Sequence, residues 1–256
     1  MINILAIGNS FSQDATAYLY SIAKEAGKEI KVVNLYIGGC SLETHWRNII
    51  NNAALYDYEL NGQNTGRKIS ITEALMEEFW DYVTLQQVSG ASGLLDTFYP
   101  YITNISDCVR HYAPAAEQLL HQTWAYELDS DHPHFINYDK NQSKMFIAIE
   151  GAYQSLTARC PLGLIPSGQV IQRLRSNPVF DYGKGGISLC RDGFHLDLVY
   201  GRYAIAATWF EFILKESILE NSFLPPASEG KEVDQLIIQL IKETVHKTAQ
   251  CFSRLH

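Results

Sequence analysis

Two short stretches at opposite ends of the chain carry residues that could act together as a nucleophile and its base. The apolar run "INILAI" (2–7) leads into "GNSFS" (8–12), which places Ser10 where a strand would give way to a helix. Far downstream, "CRDGFHLDLVYG" (190–201) sets Asp192 three residues before His195, with a further acid at Asp197. A serine hydroxyl attacks an acyl carbon only when a base takes its proton. An imidazole does this best when a third group holds its other ring nitrogen. Asp192 could accept from the near nitrogen of His195 and leave the far one for Ser10. The same residues also have a purely structural reading. Asn9, Ser10 and Ser12 are N-cap types with Asp14 in the first turn of the helix that follows, Asp197 could cap the next helix, and Asp192-Gly193 could be a turn. Taken alone, the two segments leave both readings open.

The intervening chain must bring these segments together, and its pattern shows how. "IKVVNLYI" (30–37), "DYVTLQQ" (81–87) and part of "EQLLHQTWAY" (117–126) read as strands, alternating with helical spacing over 15–27, 42–55, 72–80, 97–113, 143–160 and 197–217. "LGLIPSGQVIQRLR" (162–175) reads as a short strand running into another. Repeated βα units predict a parallel sheet covered by helices on both faces, with ligands at the carboxyl ends of its strands. Gly8–Ser12, Gly38-Gly39, Gln86-Gln87 and His121–Trp124 all fall at such ends. Two alternating runs around Asn61-Gly62 predict a hairpin inserted at 56–71, and an amphipathic helix is expected at 231–248. The whole chain, 1–256, reads as a single domain.

Bulk properties narrow the function. The chain has 256 residues, 46% of them apolar and 19% charged, which suits a globular protein with a sizeable core. A net charge of −8 without a basic stripe argues against nucleic acid as a partner. No apolar run approaches the ~20 residues needed to span a bilayer, so no membrane association is expected. Five cysteines without a CxxC pair read as free thiols in a reducing compartment. With no leader pattern at the N-terminus, a cytoplasmic location is expected, although a trimmed secreted form would look the same. The oligomeric state is not legible. Gly8 lacks partner glycines at GxGxxG spacing, which excludes a dinucleotide fingerprint. Asp129, Asp131, His132 and His134 lie close in sequence, but loop spacing without an HExxH-type pattern favours a solvated loop over a metal site. Neither a metal nor another cofactor is expected.

Gly8-Asn9-Ser10-Phe11-Ser12 after the first strand, together with Asp192-Gly193-Phe194-His195-Leu196 late in the chain, resembles the SGNH (GDSL-type) hydrolase superfamily. "NLYIGGCSLET" (34–44) resembles its second block. The resemblance covers roughly residues 2 to 210 and implies a three-layer α/β/α, flavodoxin-like sandwich. It also implies a catalytic Ser10–His195–Asp192 set, with the backbone N–H groups of Ser10 and Gly39 facing an oxyanion. One block departs. The family's third strand usually ends in Gly-x-Asn-Asp, and "DYVTLQQVSGASG" has no Asn. Gln86 could supply the missing amide, with Gln87 and Ser89 as rivals.

What the resemblance implies is a serine esterase that needs no cofactor and removes acetyl groups from a carbohydrate or another small ester. His121 and Trp124 would contact substrate, Trp124 as a platform for a sugar ring. The same Trp could simply close a sheet edge, and His121 could lie on the surface. The hairpin, with Tyr56 and Tyr58, would overhang the cleft opposite Trp124 and the loop carrying His132 and His134. A lysophospholipase or thioesterase of the same fold, or a glycan-binding module without activity, are the alternatives.

Overall fold

The computed structural model describes residues 1–228, 230 and 232–253. In chain order the first half comprises β1 (Ile2–Gly8), α1 (Ser10–Thr16), α2 (Leu19–Glu25), β2 (Ile30–Tyr36), α3 (Leu42–Ile50), β3 (Tyr56–Leu60), β4 (Gln63–Ile69), α4 (Ile71–Glu77) and β5 (Tyr82–Leu85). The second half adds α5 (Tyr101–Tyr112), β6 (Glu117–His121), α6 (Gln142–Arg159), β7 (Gly163–Ile165), α7 (Ser167–Arg175), α8 (Tyr200–Leu214) and α9 (Gln235–Ser253).

The strands form one sheet in the order β4-β3-β2-β1-β5-β6-β7. From β2 to β7 all pairings are parallel, as the βα alternation predicts. The sheet as a whole is nevertheless mixed, which corrects the expectation of a parallel one. The hairpin is not a separate flap: β3 pairs antiparallel with β2, Leu35 opposite Tyr58, and β4 closes the edge. Its aromatic residues point into the protein. Tyr56 is fully buried and receives a hydrogen bond from Asn48 Nδ2 at 3.1 Å, while Tyr58 is nearly buried. Neither overhangs a cleft. Glu59, also buried, accepts from Asn34 Nδ2 at 2.7 Å and from Gln13 Nε2 at 2.5 Å, binding the hairpin to β2 and α1. The edge strand β4 is exposed and carries Arg67 and Lys68, charges that discourage edge-to-edge pairing.

Helices flank this sheet in two groups. One is α3, α4 and α5; the other gathers α1, α2, α7 and α9 around α8, and α6 packs on α7 and β7. "YGRYAIAATWFEFIL" is apolar all round and almost wholly buried, so α8 requires neighbours on every side, and α9 supplies one of them. That last helix starts at Gln235; residues 232–234 are irregular, and position 231 of the expected helix lies outside the described residues. Two further expectations change. The helical spacing over 15–27 resolves into α1 and α2, because Asn9 starts the first helix at Ser10 and the chain bends at Ala17-Tyr18. The segment after Pro166 is the helix α7, not a strand: Val170, Ile171 and Leu174 form one buried helical stripe. No helix among the described residues is long and apolar enough to cross a membrane.

Candidate active site

At the carboxyl end of β1 the backbone turns directly into α1. A Cβ on Gly8 would lie 2.3 Å from Ser12 Oγ, so only glycine lets strand and helix approach this closely. The capping reading of "GNSFS" is realised by Asn9 and Ser12. Asn9 is the N-cap: its side chain accepts from Phe11 N at 3.0 Å, and Ser12 Oγ accepts from Asn9 N at 3.1 Å, completing a capping box. Ser10 takes no part in this cap. Its hydroxyl lies 2.8 Å from Nε2 of His195. Nδ1 of His195 lies 2.7 Å from Oδ2 of Asp192.

The loop that carries His195 is shaped around Asp192. Oδ1 of Asp192 accepts from the backbone N–H of Phe194 at 3.2 Å and of His195 at 2.7 Å. Gly193 sits at φ 82°, a conformation that favours glycine, and its backbone lies against Ser130. Partial burial alone would raise the Asp192 carboxyl, but the hydrogen bonds from the His195 ring and from these backbone groups outweigh it and hold it below its ordinary value. Asp197 has the structural role instead. It is buried and accepts from Val199 N and Tyr200 N at 3.0 Å and from Gly201 N at 2.7 Å, at the start of α8.

Further contacts fix this loop against α1, the helix that begins at Ser10, and the linear sequence gives no sign of them. Asp14, fully buried on α1, accepts from Leu196 N at 3.0 Å, from Arg191 Nη1 at 3.1 and 3.2 Å, and from Arg202 Nε at 2.7 Å. Trp124 Nε1 donates to Phe194 O at 2.8 Å, and Glu127 N donates to Gly193 O at 2.7 Å. Ser10 and His195 therefore stand on two elements joined by one buried carboxylate.

Around Ser10 lies a cleft of about 250 Å³, lined among others by Tyr36, Gly38, Gly39, Val88, Ser89, His132, Arg191 and Phe194. Gly39 and Ser89 both line this cleft. Several other expectations are corrected. Gln86 is buried, its Nε2 donating to Asn9 Oδ1 at 2.7 Å and its Oε1 lying 2.8 Å from His121 Nδ1. It supports the N-cap from below and does not line the cleft. Gln87 is likewise buried: Oε1 accepts from Leu42 N at 3.0 Å and Val88 N at 2.9 Å, and Nε2 donates to Thr97 O at 2.9 Å. Trp124 is fully buried and stacks on Phe11, with ring centroids 4.2 Å apart, so it offers no face to a sugar. His121 is a core residue beneath Gln86. Of the expected cleft wall, His132 is present; it packs edge-on to Phe194 with centroids 4.6 Å apart. Among the described residues no group of His, Cys, Asp and Glu is arranged to hold a metal ion.

The buried histidines give a measurable consequence. Burial pushes both His45 and His121 down to about 3. Between there and the ordinary histidine value of about 6.5, the unfolded chain binds protons that the native state does not. Stability is therefore expected to fall as pH drops below about 6.5, each histidine contributing about 1.4 kcal/mol per pH unit. Denaturant midpoints at pH 7 and pH 5, with proton NMR of the imidazole rings, check this. Rings of His45 and His121 that titrate between pH 6 and 7, near the ordinary value, would contradict it.

Comparison with known proteins adds relatives to this geometry. No curated protein matches the sequence. A solved structure of a DUF4886 family protein from Bacteroides uniformis is 37% identical, with 96% of this chain and 94% of that one covered and a TM-score of 0.84. More distant solved structures share the fold alone. The acetyl xylan esterase AlAXEase is 12% identical with a TM-score of 0.56, covering 83% of this chain and 100% of its own. A carbohydrate esterase family 3 protein from Talaromyces cellulolyticus is 10% identical with a TM-score of 0.55, covering 84% and 97%. The model of a domain of unknown function, DUF4886, matches residues 3–246. With nearly its whole length matched in this way, the chain belongs to the DUF4886 family.

Proposed function

We propose that this protein is a serine esterase of the flavodoxin-like SGNH type that removes short acyl groups, acetyl above all, from carbohydrate hydroxyls. The observation that carries the reading is the unbroken hydrogen-bond line from Ser10 Oγ to His195 Nε2 and from His195 Nδ1 to Asp192 Oδ2. In this mechanism Ser10 Oγ attacks the ester carbonyl while His195 takes its proton. Asp192 fixes the imidazole tautomer and stabilises the imidazolium that forms. The N–H of Ser10, in the first turn of α1 where no intrahelical acceptor exists, and the N–H of Gly39 stabilise the oxyanion. His195 then protonates the leaving alcohol, and a water activated by the same imidazole releases the acid.

The small volume of the cleft supports a short acyl group. Tyr36 and Phe194, which line it, replace Trp124 as the aromatic faces on which a sugar could rest. The share of the fold found in an acetyl xylan esterase agrees with this reading. Hydrolysis of p-nitrophenyl esters of two to eight carbons tests it. The rate is expected to be highest with acetate and to fall with each added carbon. In an open apolar groove each methylene would instead gain about 0.8 kcal/mol, nearly fourfold in affinity. A rate that climbs with chain length would assign the site to lipids or thioesters, and no Ser10-dependent turnover would leave a binding module.

A further inference from the structure

The cleft beside Ser10 has a charge character opposite to that of the protein. The chain carries a net charge of −8, yet none of the residues lining this cleft is Asp or Glu, and one of them is Arg191. Arg191 is held in place from one side only. Its Nη1 donates to both oxygens of Asp14 and to Leu196 O. Among the described residues, its Nε and Nη2 make no hydrogen bond. Those two nitrogens form the edge of a guanidinium that matches a carboxylate in paired fashion.

The nearby charges do not cancel it. Asp14 is shared between Arg191 and Arg202, so Arg191 does not have a carboxylate to itself, and the further carboxylate of Glu59 faces Arg202. Asp192, the next carboxylate, is turned onto the His195 ring and two backbone N–H groups. His132 on the facing wall is held down by burial and by the neighbouring His134 and His195, so it adds hydrogen-bonding capacity without adding charge.

We propose that Arg191 selects esters whose alcohol part bears a carboxylate, such as an acetylated sugar acid. The inference rests on the esterase reading for the placement of the acyl group. With a short acyl chain beside Ser10, the carboxylate that Arg191 recognises belongs to the alcohol. A preorganised guanidinium in a partly enclosed cleft gives a paired, charge-assisted contact that a neutral sugar cannot replace.

The test separates binding from turnover. In the Ser10→Ala protein, galacturonate is expected to bind at least roughly tenfold more tightly than galactose by calorimetry, as one charge-assisted pair allows. The difference should shrink as salt is raised. Arg191→Gln is expected to abolish it and Arg191→Lys to retain part of it. Arg202→Gln, on the same carboxylate but outside the cleft lining, should preserve the preference. Equal binding of the two sugars, or a preference that survives Arg191→Gln, overturns the proposal. If Arg191→Gln does not fold, the parent comparison and the Lys variant decide. Turnover of acetylated galacturonate and acetylated galactose by the unmodified protein distinguishes the two readings. Equal Ser10-dependent rates sink the carboxylate inference and leave the esterase standing. A carboxylate preference in binding without any Ser10-dependent hydrolysis sinks the esterase reading alone.

Discussion

Replacing Ser10 or His195 by Ala is expected to lower turnover of p-nitrophenyl acetate by at least about three orders of magnitude, and replacing both to cost little more than either alone. The reason is the 2.8 Å contact between Ser10 Oγ and His195 Nε2. Without the imidazole the hydroxyl keeps its proton, and without the hydroxyl the imidazole has nothing to activate. Residual rate would come from the backbone N–H groups and from binding. Stability is a separate readout. Both side chains are partly exposed and neither belongs to the cap of α1, so either variant should unfold within about 0.5 kcal/mol of the parent. A variant that keeps most of its activity would remove the residue from the mechanism.

Asp14→Ala is expected to cost about 2–4 kcal/mol of stability and to lower turnover in the fraction that remains folded. Breaking a buried ion pair by removing one partner typically costs about 3–5 kcal/mol, because the other charge stays behind. Here the carboxylate is fully buried, but Arg191 and Arg202 each keep about a fifth of their side-chain surface in water, 22% and 21%, which lowers the figure. Asp14→Ala also frees Leu196 N, the residue after His195, so the imidazole loses its fixed distance from Ser10. Asp14→Asn keeps an acceptor for that N–H and should lie between the two. Urea unfolding combined with kinetics well below the transition tests both halves. A stability loss under about 1 kcal/mol, with normal turnover, would show that the buried carboxylate does not hold the loop.

Much of this arrangement was legible from local signals. The strand ending in Gly8, the spacing of Asp192 and His195, and the βα alternation are short-range patterns; the first and last reappear as elements, and the second as a local hydrogen-bonded pair. What escaped depends on side-chain direction and on contacts distant in sequence. Gln86 and Gln87 have the amide that an oxyanion site requires, but their side chains turn inward to Asn9, His121, Thr97 and Leu42. Trp124 and His121 sit at a strand end, as a substrate-contacting residue would, yet they pack into the core beneath it. Asp14 was readable only as a first-turn acid, since its partners lie 177 and 188 residues away. The hairpin was visible as a hairpin, but its alternation alone does not say whether its strands join a neighbour's edge. The buried Tyr56 and Glu59 bind it there.

Ser10 and His195 stand 185 residues apart in the chain. A polypeptide emerging from the ribosome presents the serine early, on a strand whose sheet neighbours β2 and β5 follow within the first hundred residues. The imidazole, and Arg202 behind it, arrive only when the last parallel strand has already been made. On the proposed mechanism, the hydroxyl would therefore lack its base during most of synthesis and could not capture an acyl group. Reactivity of the proposed kind would appear at one late moment, when the closing loop docks on α1, so assembly of the polypeptide would act as its own safety catch.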